Sequence, residues 1–207
     1  VELADTADVD VAVSSSDTSV EAGRTQMLSV DQAADQLISS DQAAASRIAQ
    51  ALGLDQVDQN LLPPTPTLDE LRAGLEQVET QSFAPRPAVL QVRFTAIPQS
   101  QPETQDAFLD LTLISARSPV QARRVEVNRD SFSGLLKALY RQLSRQEPMA
   151  VDNPISPTRQ LHALLIEPLQ EILEAQKIET LLIAADQGLQ AVPFAALSDG
   201  SEYFGNR

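Results

Sequence analysis

Apolar positions change their spacing along this chain, and the change divides it. Up to about residue 82 they recur at helical intervals. Ser29 heads a segment with Val30, Ala33, Ala34, Leu37 and Ile38 on one face. Asp41 heads a second with Ala44, Ala45, Ile48, Ala49 and Leu52, ending at Gly53. The pair reads as a small helical hairpin covering a larger core, with a partner-binding pair as the alternative. After the break at 60–66 (NLLPPTP), Thr67-Leu-Asp-Glu70 forms a capping-box pattern. Leu68, Leu71, Leu75 and Val78 then continue a helix to about residue 80.

Beyond the APRP link at 84–87 the period drops to two. Ala88 to Ile97 alternates, with Leu90, Val92, Phe94 and Ala96 on one side. Phe108 to Ile114 and Val120 to Val127 follow as two more strands. Their short connections predict an antiparallel meander. Asn128 or Asp130 then caps a helix with Phe132, Leu135, Leu136, Leu139, Tyr140 and Leu143 along one face. A proline-rich loop at 147–157 leads to a helix opened by Thr158, apolar at Leu161, Leu164, Leu165, Leu169, Ile172 and Leu173. Pro168 should kink it near Leu164, whose carbonyl loses its donor. The wholly apolar run TLLIAA at 180–185 suits a strand buried on both faces, as in a parallel sheet. A turn at 186–188, a short helix from Pro193, a turn at 198–200 and a strand starting at Tyr203-Phe204 complete the pattern.

Charge sharpens the division. The net charge is −14 over 207 residues. Residues 1–25 carry six acids and one base, residues 26–82 nine acids and two bases, and residues 83–207 fourteen acids and twelve bases. The acidity belongs to the front, which reads as a flexible, disordered lead-in at 1–25 with one short alternating stretch at Asp8–Val13. So acidic a chain repels nucleic acid and anionic lipid, and neither is expected as a partner. No apolar stretch reaches the length of a membrane span, so no membrane association is expected. Apolar residues make up 43% and aromatics 4%, so the core is built from Leu, Val, Ile and Ala. A start at Val1 in place of Met fits a processed or excerpted chain.

Candidate chemistry is sparse. With no cysteine there is no disulfide, thiolate metal site or Cys nucleophile within the chain, and neither redox compartment is favoured. The lone His162 lies beside Leu161 on an apolar helix, where a histidine is a flank or core residue before it is a base. Ser131, Ser133 and Ser156 have no G-x-S-x-G elbow around them. His162 and Glu167 are five residues apart, roughly 500° of helical rotation, and diverge as metal ligands. Asp69 and Glu70 are adjacent and read as helix capping. No phosphate-cradling glycine motif is present. Arg123-Arg124 and Arg141/Arg145 read as solvated basic spots, or as partners that hold down the acidic front. The expectation is no catalytic, metal or cofactor residue in this chain.

One segment carries a family resemblance. Leu181-Leu182-Ile183, Asp186 to Leu189, Pro193-Phe194-Ala195-Ala196-Leu197, Asp199-Gly200 and Tyr203-Phe204 resemble the start of the CHAT core. LHALLIEPLQEIL is similar to the helix before it, and the order of elements over 88–175 to the family's N-terminal lobe. The acidic lead-in resembles that of cyanobacterial members. The resemblance implies a caspase-like three-layer α/β fold, incomplete here, with 83–207 as the N-terminal part of the domain; the helical segment read from periodicity at 26–82 precedes it. It implies a cysteine peptidase whose His and Cys lie beyond Arg207, so no catalytic residue carries over. The alternative is a non-catalytic scaffold or protein-interaction module. The implied partners are a protein or peptide substrate and the remainder of the domain. Arg207 is read as an excerpt boundary, with proteolysis after a basic residue as the sharper alternative. An incomplete sheet should leave an exposed apolar edge.

Overall fold

The period-two stretch becomes a sheet with helices on both sides. A computed structural model of the chain describes residues 25–27, 67–81, 86–97, 106–147, 151–186 and 188–206. Strands β2 (Pro87–Ala96), β3 (Asp106–Ser115) and β4 (Gln121–Asn128) form the expected antiparallel meander. β5 (Thr180–Ala185) runs parallel to β2 on its other side. A short strand, β1 (Thr25–Met27), pairs antiparallel with β4, giving the order β1-β4-β3-β2-β5.

The register fixes which residues share a face. Leu90 lies between Leu113 and Ile183, and Val92 between Leu111 and Ala185. Phe94 is opposite Leu109, which is opposite Val125. This face is the main core, where Leu90, Leu109, Leu111 and Leu139 are fully buried. Each such side chain contributes roughly 1.5–3 kcal/mol of burial. The opposite face carries Val89, Ile114 and Ala122 at one end, under Leu75 of α1 (Leu68–Gln81). Helices therefore cover both faces and the class is α/β, as expected.

α1 is held by the capping box seen in its sequence. Glu70 N donates to Thr67 Oγ1 at 3.2 Å, and Thr67 N donates back to Glu70 Oε2 at 2.7 Å. α2 (Arg129–Arg145) is capped by Asn128, whose Oδ1 accepts from Asp130 N and Ser131 N at 3.1 Å. It packs Phe132 and Leu139 inward, whereas Tyr140 sits at the rim, 45% exposed, donating its hydroxyl to the Ala191 carbonyl. α2 ends at Gln146 in the left-handed region (φ 54°), with Glu147 N bonded to Gln142 O at 3.1 Å.

Several expectations are corrected. α3 (Pro157–Leu165) is capped by Ser156, not Thr158, because Pro157 takes the first helical position, where its missing N–H costs nothing. Thr158 is buried and shares a hydrogen bond with Ser156 Oγ at 3.1 Å. Pro168 does more than kink the next turn: the helix stops, a 3-10 turn covers Glu167–Leu169, and α4 (Gln170–Ala175) restarts. The missing donor and the ring clash with Leu164 together explain the break. β5 pairs in parallel as expected but is not buried on both faces; Leu182 is 46% exposed. Tyr203 makes one isolated bridge to Ser198, and Phe204 enters a 3-10 turn where a strand was expected. Phe204 N donates to Leu197 O at 2.7 Å, which ties this backbone to the preceding turn. β1 takes Thr25 from the segment expected to be a flexible lead-in, and Gln26 and Met27 from the start of the segment expected to be helical. Pairing with β4 decides that conformation over local propensity. The helices expected at 29–54 and the alternation at Asp8–Val13 lie outside the described residues.

Replacing Asn128 by Ala should lower stability by about 1 kcal/mol through loss of the cap. Gln146→Gly should raise it by about 0.5–1 kcal/mol by relieving the left-handed conformation. Urea unfolding midpoints check both, and shifts of the same sign would contradict the assignment. Glu70 is held below the usual Glu pKa, first by the Thr67 backbone N–H and then by the Thr67 hydroxyl. A depressed folded-state value means that its support for α1 is complete above the ordinary Glu range. That support fades as pH falls through the depressed value. NMR titration of the Glu70 carboxyl should give a midpoint below that of an unstructured glutamate.

Candidate functional site

The feature with the clearest chemical meaning is the outer side of β5. TLLIAA has no charge, no proline and no bulge, and it ends the sheet. Beside it lies a groove of about 770 Å³ floored by Leu173, Ile178, Leu181, Ile183, Phe194 and Phe204. Its rim is polar, with Gln170, Glu174, Lys177 and Glu179. A second hollow of about 490 Å³ sits at the carboxyl end of the strand against Ala185, Gln190, Val192 and Phe194. Crevices at the carboxyl ends of parallel strands are where open α/β sheets take ligands.

The residues after β5 are folded to build this wall. Asp186 N donates to Val92 O at 2.9 Å, carrying the parallel pairing one step past the strand. Leu189 is then fully buried. The turn Phe194–Ala196 brings Phe194 to the groove. Asp199 Oδ1 accepts from Ser201 N at 2.7 Å and Glu202 N at 3.1 Å, closing the next turn. Gly200 has φ +100° and lies against the Arg159 guanidinium. Gly205 is required by contact: a Cβ there would lie 2.8 Å from Ala195 Cβ and 3.0 Å from its carbonyl oxygen. The two 3-10 turns can approach only through that glycine.

The sequence-predicted residues do not gather here. His162 is 2% exposed within α3 and lines neither hollow. Glu167 lies in the 3-10 turn after α3, off the helix that carries His162. Asp69 and Glu70 are on α1, where Glu70 serves the cap. Ser131 and Ser133 are on α2, and Ser156 caps α3. Arg141 and Arg145 are exposed, with Arg145 Nη1 3.5 Å from Glu147. No described helix is long and apolar enough to cross a membrane.

Arg124 departs from its reading as a solvated basic spot. Its Nε donates to Asp110 Oδ1 at 2.6 Å and its Nη2 to Oδ2 at 2.8 Å. Asp110 is wholly buried in the middle of β3, and Thr95 Oγ1 donates to its Oδ2 at 2.7 Å. The guanidinium also lies 4.6 Å over the Phe108 ring. Hydrogen bonding to Asp110 raises the Arg124 pKa, opposed by burial and assisted by direct charge attraction. The signal was present as an aspartate in the apolar strand FLDLTLI, but the partner came from strand register alone. Arg123 is half-buried and donates to the Ala122 carbonyl at 3.1 Å.

The CHAT domain family model matches residues 156–207, a partial match at the C-terminal end of the chain. It starts at the Ser156 cap and takes in α3, α4, β5 and both turns that wall the groove, but not the meander. No curated protein and no solved structure matches the chain.

Leu182→Lys should change stability by no more than about 0.5 kcal/mol, since the side chain is half in solvent. It should also lower both binding of a hydrophobic dye and aggregation, by charging an otherwise unprotected edge. Unchanged dye binding in a stably folded variant would show that this edge is not the exposed apolar surface.

Proposed function

We propose that this chain is the N-terminal part of a caspase-like CHAT cysteine peptidase, with the nucleophile and base supplied by residues beyond Arg207. The observation that carries it is the apolar, unguarded edge of β5, inside the segment that matches the family. A further strand there would pair the open edge of β5 and cover part of Leu182. The β2–β5 connection passes through helices that pack on the main core face. A crossover of the usual right-handed sense, continued in the same direction, carries the chain over that face again. Phe194 and Phe204 already lie there, so the groove is the bed for the next helix. The contribution of these residues is then structural: half of the sheet and one wall of a peptide-binding cleft at the carboxyl ends of the parallel strands. A protein or peptide is the substrate class this reading requires, and nucleic acid and membrane are not partners in it.

A second reading, a non-catalytic scaffold of the same fold, is favoured by the chemistry in hand. The chain has no Cys, and its one His is buried inside α3.

The coding sequence past Arg207 and the longer protein it encodes separate these readings. The peptidase reading expects further strands with a His and then a Cys at strand ends, and peptide cleavage abolished by Cys→Ser. It also expects slower amide exchange in β5 of the longer protein than in residues 1–207. Slowed exchange without the pair would select the scaffold. The absence of any strand-forming continuation would sink both.

A further inference from the structure

The groove beside β5 has an uneven rim. Its floor is apolar and half-buried throughout, from Leu173 and Ile178 to Phe194 and Phe204. One wall, the Phe194–Ala196 turn with Gly205 against it, brings no charge to the groove. The other wall, α4 and the chain entering β5, is acidic. Residues 167–179 hold Glu167, Glu171, Glu174 and Glu179 against Lys177. Residues 83–207 as a whole are nearly balanced, at fourteen acids and twelve bases, so this is a local excess. All four glutamates are exposed, and among the described residues none has an ion-pair partner. Glu174 accepts only from Gln170 Nε2, at 3.0 Å. Glu171 suits the first turn of α4, but Glu174 lies near its end, where the helix dipole opposes an acid. Glu174 is therefore not there for the sake of α4.

The position of the floor decides which kind of element fits it. Leu181 and Ile183 lie on the main core face of β5, with Leu90 beside Ile183. A strand added to β5 pairs along its edge and leaves that face open. The apolar face of a sheet in an α/β fold is covered by helices. A helix seated in such a groove reads it through residues at i, i+3, i+4 and i+7.

We propose that the groove seats an amphipathic helix of the segment that completes the domain, with Lys or Arg along the edge facing α4 and no charge along the edge facing Phe194 and Phe204. This rests on the reading that a helix covers the groove, which the peptidase and the scaffold share, and adds the chemistry that orients it. Turning such a helix end for end exchanges its two edges. One-sided charge therefore selects its direction, because the reversed helix sets its bases against an uncharged wall.

Two designed peptides of about eighteen residues, long enough to hold a helix in water, test this on residues 1–207 by fluorescence anisotropy. Both carry leucine at i, i+3, i+4 and i+7. One has lysines along a single edge of that stripe, and the other has glutamates at the same places. The lysine peptide should bind at least about five-fold tighter, the effect that a few exposed charge pairs supply. The preference should vanish in Glu174→Lys/Glu179→Lys. It should persist in Asp69→Lys/Glu126→Lys, which changes the net charge equally at exposed positions away from the groove. The longer protein, its groove filled by its own helix, should bind neither peptide. Equal affinity for the two peptides would overturn the charged edge and leave the helix bed standing. So would a scrambled lysine peptide that binds as tightly as the ordered one. No binding of either peptide to the folded chain would overturn the helix bed as well. Undiminished binding to the longer protein would give the groove to a separate partner and overturn the proposal.

Discussion

Strand β2 is hydrogen-bonded along both edges, antiparallel to β3 and parallel to β5, and the rest of the molecule depends on that double pairing. One edge belongs to a local meander of strands consecutive in the chain. The other belongs to a segment that arrives only after α2, α3 and α4 have been laid across the sheet. Because β2 lies inside the sheet between β3 and β5, its alternation is matched to the two faces of both neighbours. Leu90, Val92 and Phe94 face the helices that follow the meander, while Val89 faces α1. A slip of one residue in β2 would turn both cores out together.

The two edges of the sheet are finished differently. β4 carries Arg123, Arg124 and Glu126 and is further covered by β1. Charge and a short covering strand are the usual ways in which a sheet is kept from pairing with other chains. β5 has neither. Burial of Asp110 follows the same division, because it neutralises Arg124 within the face and leaves the edge beyond it polar. A carboxylate with no exposed surface is tolerated because hydrogen bonds from Thr95 and Arg124 and the Arg124 charge converge on it.

Periodicity made the middle of this fold legible, because the meander and its helix are amphipathic in a regular way. A cap at Asn128 or Asp130, the Thr67–Glu70 box and a kink at Pro168 were visible as local chemistry, but not that the helix stops there. What escaped the sequence is what pairing decides. β1 has no strand signature of its own, and its conformation is lent by β4. Phe204 belongs to a strand-like dipeptide but lies in a turn because its N–H is taken by Leu197. TLLIAA announced its parallel pairing but not its half-exposed state, since apolar composition reports what a strand tolerates, not what lies beside it. For the candidate site, composition excluded a thiol nucleophile within the chain, and local pattern read His162 as a flank or core residue of its helix. The groove itself arises from residues far apart in the chain.

The parallel pairing of Pro87 with Thr180 has a consequence in time. During synthesis β2 and β3 leave the ribosome together, but the partner for the second edge of β2 is still unmade. At about 5–20 residues per second, the wait is on the order of five to twenty seconds. Throughout that interval Ala88, Leu90 and Val92 border an open ladder, and a nascent chain on the same message offers the same open ladder nearby. Long-range parallel closure is slow even once both strands exist. Translation is therefore one vulnerable period of this protein, and codon pace or a ribosome-bound chaperone acting between β4 and β5 would bear on yield.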